Sequence, residues 1–198
     1  MRPRRSVKAA GGPLKLIVRA LMRNLWIVFV CLGATPLTAE IYKRAVPTEH
    51  GIEFCWWPVL KPVPGWAHDE DASRANGVNA FVPIGYSFSD APAVIYARAL
   101  YKPRIPETKS LAQLISDDRA EFQANFPGVE VKELAPIAVG AGSKFRYFSF
   151  IPKQQGSFEL VVYADDPEFY LIFTPSGKTS ADLVKARSAF EKMVSNYP

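Results

Sequence analysis

The chain has few side chains that could act as a nucleophile or as a general base near neutral pH. Its 198 residues include two histidines, His50 and His68, and two cysteines, of which only Cys55 follows residue 39. A cysteine nucleophile needs an activating base beside it, and the spacing of Cys55 from either histidine matches no recognisable pattern. We therefore expect a half-buried strand cysteine. His68 precedes Asp69 and Asp71, and either acid could orient it in a hydrolase.

Three short motifs resemble catalytic or ligand-binding sequences, but each lacks an essential position. GYSFS, residues 85–89, resembles a nucleophile elbow, yet it ends in serine and is followed by a proline and a strand. GAGSK, residues 140–144, lacks the Gly-Lys-Ser/Thr order of a phosphate-binding loop. A calcium loop starting at Asp69 would need glycine in place of Arg74 and glutamate in place of Ala80. We therefore predict no catalytic residue, no cofactor and no metal site, and we classify the protein as a non-enzyme.

The stretch CWWPVLKPVPGW contains three of the four tryptophans. Alternation places Trp56 on one strand face with Ile52 and Phe54, so we predict Trp56 in the core. Trp57 points the other way, beside prolines that cannot pair within an inner strand, and Trp66 follows a Pro-Gly turn. Large aromatics are mostly buried, which favours a lid on the core, whereas exposed aromatics beside an unpaired edge are typical of partner recognition. Trp57 and Trp66 are the candidate partner-binding residues.

Residues 1–39 have the three successive regions of a secretory signal peptide. Seven Lys and Arg residues and no acidic residue precede Glu40. The apolar run Leu25–Leu32 is far shorter than the roughly 20 residues that span a bilayer, and the segment closes with PLTA. We predict cleavage after Ala39 and a periplasmic or secreted protein without a stable membrane anchor. A second compact signal peptide begins at Met22, which is an alternative start of translation.

The charge of the remaining chain argues against a nucleic-acid partner. The whole chain has a formal net charge of +5 from 24 basic and 19 acidic residues. Without the seven basic residues of the signal peptide, 17 basic residues stand against 19 acidic ones, a net charge of −2. Neutralising phosphates requires clustered Lys and Arg, which this part lacks. Cys55 is its only cysteine, so no intramolecular disulfide can form.

The residues after the signal peptide predict one α+β domain with an antiparallel sheet flanked by helices. Residues 40–51 are predicted to be a leader with a turn at Pro47, and residues 52–198 form the domain. The polar residues 68–77 are predicted to be an exposed loop. Capping and apolar spacing predict helices over 110–125 and 181–196, and alternation predicts strands over 52–57, 78–84, 92–101, 129–134, 143–151, 157–164 and 168–174.

The order of several segments resembles the PsbP-like superfamily. PGW is followed by APAVIYARALY, by the helical LAQLISDDRAEFQANFPG, by the paired strands FELVVYADDPEFYLIFT and by the helical LVKARSAFEKMVSNY. The similarity covers residues 52–197 and implies an exported bacterial member of this superfamily. It implies an α-β-α sandwich and accessory binding to other proteins rather than catalysis.

These observations lead to one functional hypothesis and two alternatives. The protein is predicted to be an exported accessory or adaptor that binds a protein partner in the cell envelope through the edge between Trp57 and Trp66. The first alternative is a carrier of a small hydrophobic ligand or lipid. The second is a hydrolase that uses His68 with Asp69 or Asp71. The carrier would have a pocket between sheet and helices lined by Phe145, Tyr147, Phe169 and Phe190.

Overall fold

The computed structural model describes residues 40–48, 51–140, 142–153 and 156–198. The predicted signal peptide, residues 1–39, lies outside the described residues. None of the helices within the described ranges is long and apolar enough to cross a membrane.

Nine strands in the described ranges form one open antiparallel sheet, in agreement with the predicted α+β class. The main path through the sheet has the order β1-β2-β5-β9-β8-β7-β6, so β1 and β6 are its two edges. The strands are β1 Ile41–Thr48, β2 Gly51–Pro58, β3 Trp66–His68, β4 Asn79–Pro83, β5 Ala93–Tyr101, β6 Glu130–Val139, β7 Ser143–Ile151, β8 Phe158–Asp165 and β9 Phe169–Gly177.

The sheet divides at one edge of β5. Strand β9 pairs with one side of β5 along its whole length. The other side is shared by β2, which pairs at Trp56 with Ala99, and by β4, which pairs over Asn79–Phe81. Strand β3 continues this second branch by pairing with β4. The side chain of Asn79 donates a hydrogen bond to the Pro58 carbonyl at 2.9 Å, which joins the two branches.

Three α-helices occur in the described ranges, and a side chain caps the start of each. They are α1 Glu70–Asn76, α2 Leu111–Asn125 and α3 Ser180–Ser195. Ser110 accepts a hydrogen bond from the Gln113 amide, and Thr179 accepts one from the Asp182 amide. These interactions satisfy amides that have no partner within the helix. Helices α2 and α3 confirm the predicted helices over 110–125 and 181–196.

Helices α2 and α3 pack on opposite faces of the sheet. On β9, Leu171 and Phe173 join the core cluster that contains Phe190 of α3, while the intervening Ile172 joins the cluster that contains Ile115 of α2. Successive strand side chains point to opposite faces, so this alternation separates the two clusters. The α3 cluster is the larger of the two.

Two polar segments are more ordered than their composition predicts. Residues 40–51, predicted as a leader with a turn at Pro47, instead include β1, in which Pro47 lies opposite Ile52, because β2 supplies partners for the backbone groups of β1 that face it. The predicted exposed loop 68–77 contains α1. Asp69 caps that helix by accepting from the Ala72 amide at 2.9 Å, and Gly77 ends it with φ of 65°, a conformation that glycine adopts without steric cost.

Candidate functional site

Strands β1 and β2 form a two-stranded ribbon at one end of the sheet. Their register is continuous from the Ile41–Pro58 pair to the Thr48–Gly51 pair. In the described sheet, only Trp56 of β2 also pairs with β5. Most of the ribbon therefore pairs only with itself.

The hydrogen-bond pattern shows which backbone groups of β1 face away from β2. The Glu40 carbonyl accepts from the Val59 amide at 2.8 Å. Residues of an antiparallel strand alternate between facing the partner strand and facing away, so Lys43 and Ala45 face outward. The same alternation directs Phe54 of β2 away from β1, and the Phe54 carbonyl accepts from Arg104 Nη1 at 3.3 Å. No described strand pairs with the outer edge of β1.

Apolar side chains are exposed along this ribbon. The exposed fraction is 46% for Tyr42, 71% for Ile52 and 40% for Phe54. Two cations lie over aromatic rings here: Lys43 Nζ is 4.2 Å from the Phe54 centroid, and Arg44 Cζ is 5.3 Å from the Tyr42 centroid. The ribbon therefore combines an open backbone edge with exposed aromatic and basic side chains. We call Tyr42, Lys43, Arg44, Ala45, Ile52 and Phe54 the ribbon surface.

The three tryptophans of the opening stretch have different surroundings. Trp56 packs against the core, with its ring 5.2 Å from Tyr101 and 6.1 Å from Phe169, as predicted. Trp57 is only 2% exposed, so its ring is not accessible to a partner in this conformation, and the core interpretation replaces the surface one. Trp57 immediately precedes Pro58, whose carbonyl accepts the Asn79 hydrogen bond that joins β2 and β4. Trp66 is partly buried and packs against the core cluster.

A cavity of about 220 Å³ lies on the face of the ribbon that bears Tyr42, Arg44 and Trp57. Arg44 is exposed and lies 5.5 Å from the Trp57 centroid, measured at Cζ. Trp57 Nε1 is buried and makes no hydrogen bond within the described residues. The lining residues are Tyr42, Arg44, Trp57, Val59, Leu60, Pro62, His68, Glu70, Asn79 and Phe81.

His68, Ser73 and Glu70 have the spacing of a hydrolase triad, but their hydrogen bonds are structural. His68 Nε2 is 3.0 Å from Ser73 Oγ, and His68 Nδ1 is 3.5 Å from a Glu70 oxygen. Ser73 is fully buried, donates its single hydroxyl proton to the Asp69 carbonyl at 2.6 Å and accepts from the Ala80 amide. Its oxygen must therefore accept from His68 Nε2–H. A nucleophilic serine would instead give its proton to the histidine.

Asp69 and Asp71, suggested as partners of His68, and the Cys55 thiol also lie in environments that differ from those expected for catalytic roles. Asp69 caps α1 and Asp71 is exposed, whereas the carboxylate nearest to the His68 ring is that of Glu70. Burial raises the pKa of the Cys55 thiol, with a further increase from Glu53. A raised pKa disfavours the thiolate that a nucleophile requires. The partly buried strand position predicted for Cys55 is confirmed.

The four aromatics predicted to line a carrier pocket contribute to the packing between the sheet and α3. Tyr147 is 2% exposed, and its ring lies 6.1 Å from that of Phe190, which is fully buried. Phe145 stacks on Phe173 at 6.0 Å, and Phe169 packs on Trp56. These side chains pack against one another, and Tyr147 also lines a cavity of about 430 Å³ between the sheet and α3.

Glu159 on β8 is a polar residue that the sequence pattern did not single out. Its carboxyl accepts a hydrogen bond from the Tyr96 hydroxyl at 3.5 Å and another from Ser176. Burial is the main cause that raises the pKa of Glu159 to about 7, and the nearby Asp118 raises it further. Tyr163 donates to Asp118. The one available signal was a charged residue within the apolar strand sequence SFELVVYA.

Comparison with known proteins does not identify a function for this chain. No protein-family model matches the chain, and no curated protein is significantly similar to it. Among the residues that the structure describes, no three histidine, cysteine, aspartate or glutamate side chains come together as a metal site.

Proposed function

We propose that this protein is an exported, non-catalytic accessory or adaptor protein that binds a protein partner in the cell envelope. The partner contributes an extended segment that pairs with the outer edge of β1. The observation that supports this most directly is the outward-facing backbone of Lys43 and Ala45, which no described strand pairs. Strand addition to an open edge gains affinity from main-chain hydrogen bonds and specificity from alternate side chains.

The opposite edge of the sheet, strand β6, is less suited to pairing with an added strand. Strand β6 has an irregular register between Leu134 and Ile137, at Pro136. Its charges are paired, with Lys132 2.6 Å from Glu130 and Arg146 3.0 Å from Glu133. Bulges, prolines and charges are the features by which proteins protect edge strands. Strand β1 also has a proline, Pro47, near its end, but its register is continuous and its two cations are not paired with carboxylates in the described residues, which makes it the better site for strand addition.

The charge of the ribbon indicates the kind of segment that it binds. Lys43 and Arg44 form no ion pair with any carboxylate in the described part of the chain. Directly opposed side chains on paired strands interact, and opposite charges stabilise the pair. The partner segment is therefore extended and acidic, with apolar residues that cover Tyr42 and Phe54.

The PsbP-like resemblance belongs to the same proposal. Helices α2 and α3 on opposite faces of an antiparallel sheet give it support, as does the order of elements that suggested it. We propose membership of that superfamily together with the accessory role it implies. Fold alone does not define function, so the proposed binding mode rests on the ribbon surface.

In-cell photocrosslinking tests the proposal. A photoreactive residue at Tyr42 is expected to crosslink to one discrete protein, while the same residue at Val184 on α3, which is 68% exposed, gives no such product. Ala45→Pro removes an outward amide without removing a bond to β2, so it should abolish the product. Ala45→Val retains the amide and should preserve it. Identical products from both positions, or a product that survives Ala45→Pro, would contradict strand addition.

A further inference from the structure

The cavity beside Trp57 has the size of a small organic ligand. Its volume of about 220 Å³ equals roughly that of seven water molecules in the liquid. Trp57 and Phe81 are buried and form an apolar inner wall together with Leu60. Arg44 is exposed and places its guanidinium on the solvent side. The cavity thus has an apolar interior and one charged side.

The charges around the cavity favour an anion. Glu70 is the lining carboxylate, and Arg74 holds it through two hydrogen bonds at 3.1 and 2.9 Å. The hydrogen bond from Arg74 is also the main cause that lowers the pKa of Glu70. Arg44 forms no hydrogen bond or ion pair within the described residues; its guanidinium lies over the rings of Tyr42 and Trp57, and its charge also helps to lower the pKa of Glu70. The positive charge of Arg44 therefore remains available.

Trp57, which lines the cavity, carries a buried polar atom. It is the residue whose buried side-chain nitrogen lacks a hydrogen-bond partner in the described structure. Leaving a buried donor unpaired is unfavourable, because the group has lost its hydration without replacement. This nitrogen is shielded from the cavity as well as from solvent, so Trp57 offers a ligand its ring rather than this donor.

We infer that this cavity binds a small carboxylate that has a branched or cyclic apolar body. The carboxylate pairs with the Arg44 guanidinium, whose planar donors match its two oxygens. The apolar body packs against Trp57, Phe81 and Leu60. A ligand of roughly eight non-hydrogen atoms fills the volume. This site shares Tyr42 and Arg44 with the ribbon surface, but it does not use the outward-facing backbone of Lys43 and Ala45 with which a partner strand would pair.

The test uses 4-methylpentanoate and its neutral analogue 4-methylpentanamide with the full chain. Calorimetry should show saturable binding of the acid, in the millimolar range expected for so small a ligand, and binding of the amide at least about tenfold weaker. The NMR signal of the Trp57 indole N–H, assigned by its loss in Trp57→Phe, should shift on titration with the acid.

Variants separate this site from the ribbon edge. Arg44→Gln should weaken the acid at least about tenfold, whereas Lys43→Gln, the neighbouring cation on the other strand face, should leave its affinity unchanged. Ala45→Pro should retain acid binding even where it abolishes partner crosslinking. Equal affinity for acid and amide, unchanged binding in Arg44→Gln, or no saturable binding of the acid would overturn the assignment.

Discussion

The Arg44 guanidinium and the Glu159 carboxyl are both borne by strands of one sheet, yet their surroundings are opposite. Arg44 is exposed, lies over two aromatic rings and forms no ion pair within the described residues. Glu159 lies on the sheet face that packs against α2, where Tyr96 and Ser176 donate hydrogen bonds to its carboxyl. One group is open to a ligand, and the other has its partners within the chain.

This difference shows why a perturbed titratable group is not by itself a binding site. The pKa of Glu159 is raised mainly by burial, and its neighbours are ordinary parts of the folded sheet. Structural networks shift pKa values as functional sites do. Arg44, in contrast, stands beside a cavity and an open strand edge, so its missing partner points to a molecule outside the chain.

The largest effect is expected from Trp57→Ala, since Trp57 separates Arg44 from the core. Removing a buried tryptophan ring typically costs about 3–5 kcal/mol of unfolding free energy. Chemical denaturation measures this loss, and Trp66→Ala, at a partly buried position, should cost less. If Trp57→Ala instead lost less than about 1 kcal/mol of unfolding free energy and abolished the Tyr42 crosslink, Trp57 would be part of the partner-binding surface.

Glu159 should make stability depend on pH. Its pKa is about 7 in the folded protein against 4.5 for the free group, so the folded state binds the proton more tightly. The stabilisation is complete below about pH 4.5 and is lost as pH rises toward 7, by on the order of 3 kcal/mol. Denaturation measured across this pH window should show a smaller loss of unfolding free energy in Glu159→Gln than in the unchanged protein. Parallel curves for the two proteins would show that Glu159 titrates normally.

The smallest effect concerns the charge of the ribbon. Lys43→Glu combined with Arg44→Glu should reduce the yield of the Tyr42 crosslink about tenfold, because like charges then face the acidic segment. Stability should change by only about 0.5 kcal/mol, as is usual at exposed positions. Lys132→Glu on the β6 edge is the matched control and should leave the crosslink intact. An unchanged yield in the double variant would exclude an acidic partner segment.

Local signals account for the parts of the fold that were predicted. Helices α2 and α3 begin at Ser110 and Thr179 because those side chains cap amides within three residues, and short connections specify the β7–β8–β9 hairpins. Strand β1 was missed, since it depends on pairing with β2 and its own pattern is weak. Helix α1 was missed because polar residues surround its buried Ser73.

The candidate site was predicted only in part. The aromatic stretch pointed to the right region, and Trp56 was placed correctly in the core. Tyr42 was not identified, because β1 was not recognised as a strand. Ile52 and Phe54 were placed by alternation on the core face with Trp56, but both are exposed because β2 pairs with β5 only at Trp56. Glu159 was dismissed for the same kind of reason, since its partners Tyr96 and Ser176 are distant in sequence.

Sequence alone determined the α+β class, the two long helices, the antiparallel hairpins and the absence of any intramolecular disulfide after residue 39. These properties depend on periodicity, capping and composition, which are local. Tertiary structure alone decided that Trp57 is buried where two strands share one edge of β5, that Ser73 gives its proton to a carbonyl, and that Arg44 forms no ion pair with any residue the structure describes. Each of these depends on contacts between residues of different elements, and no local pattern specifies which elements meet.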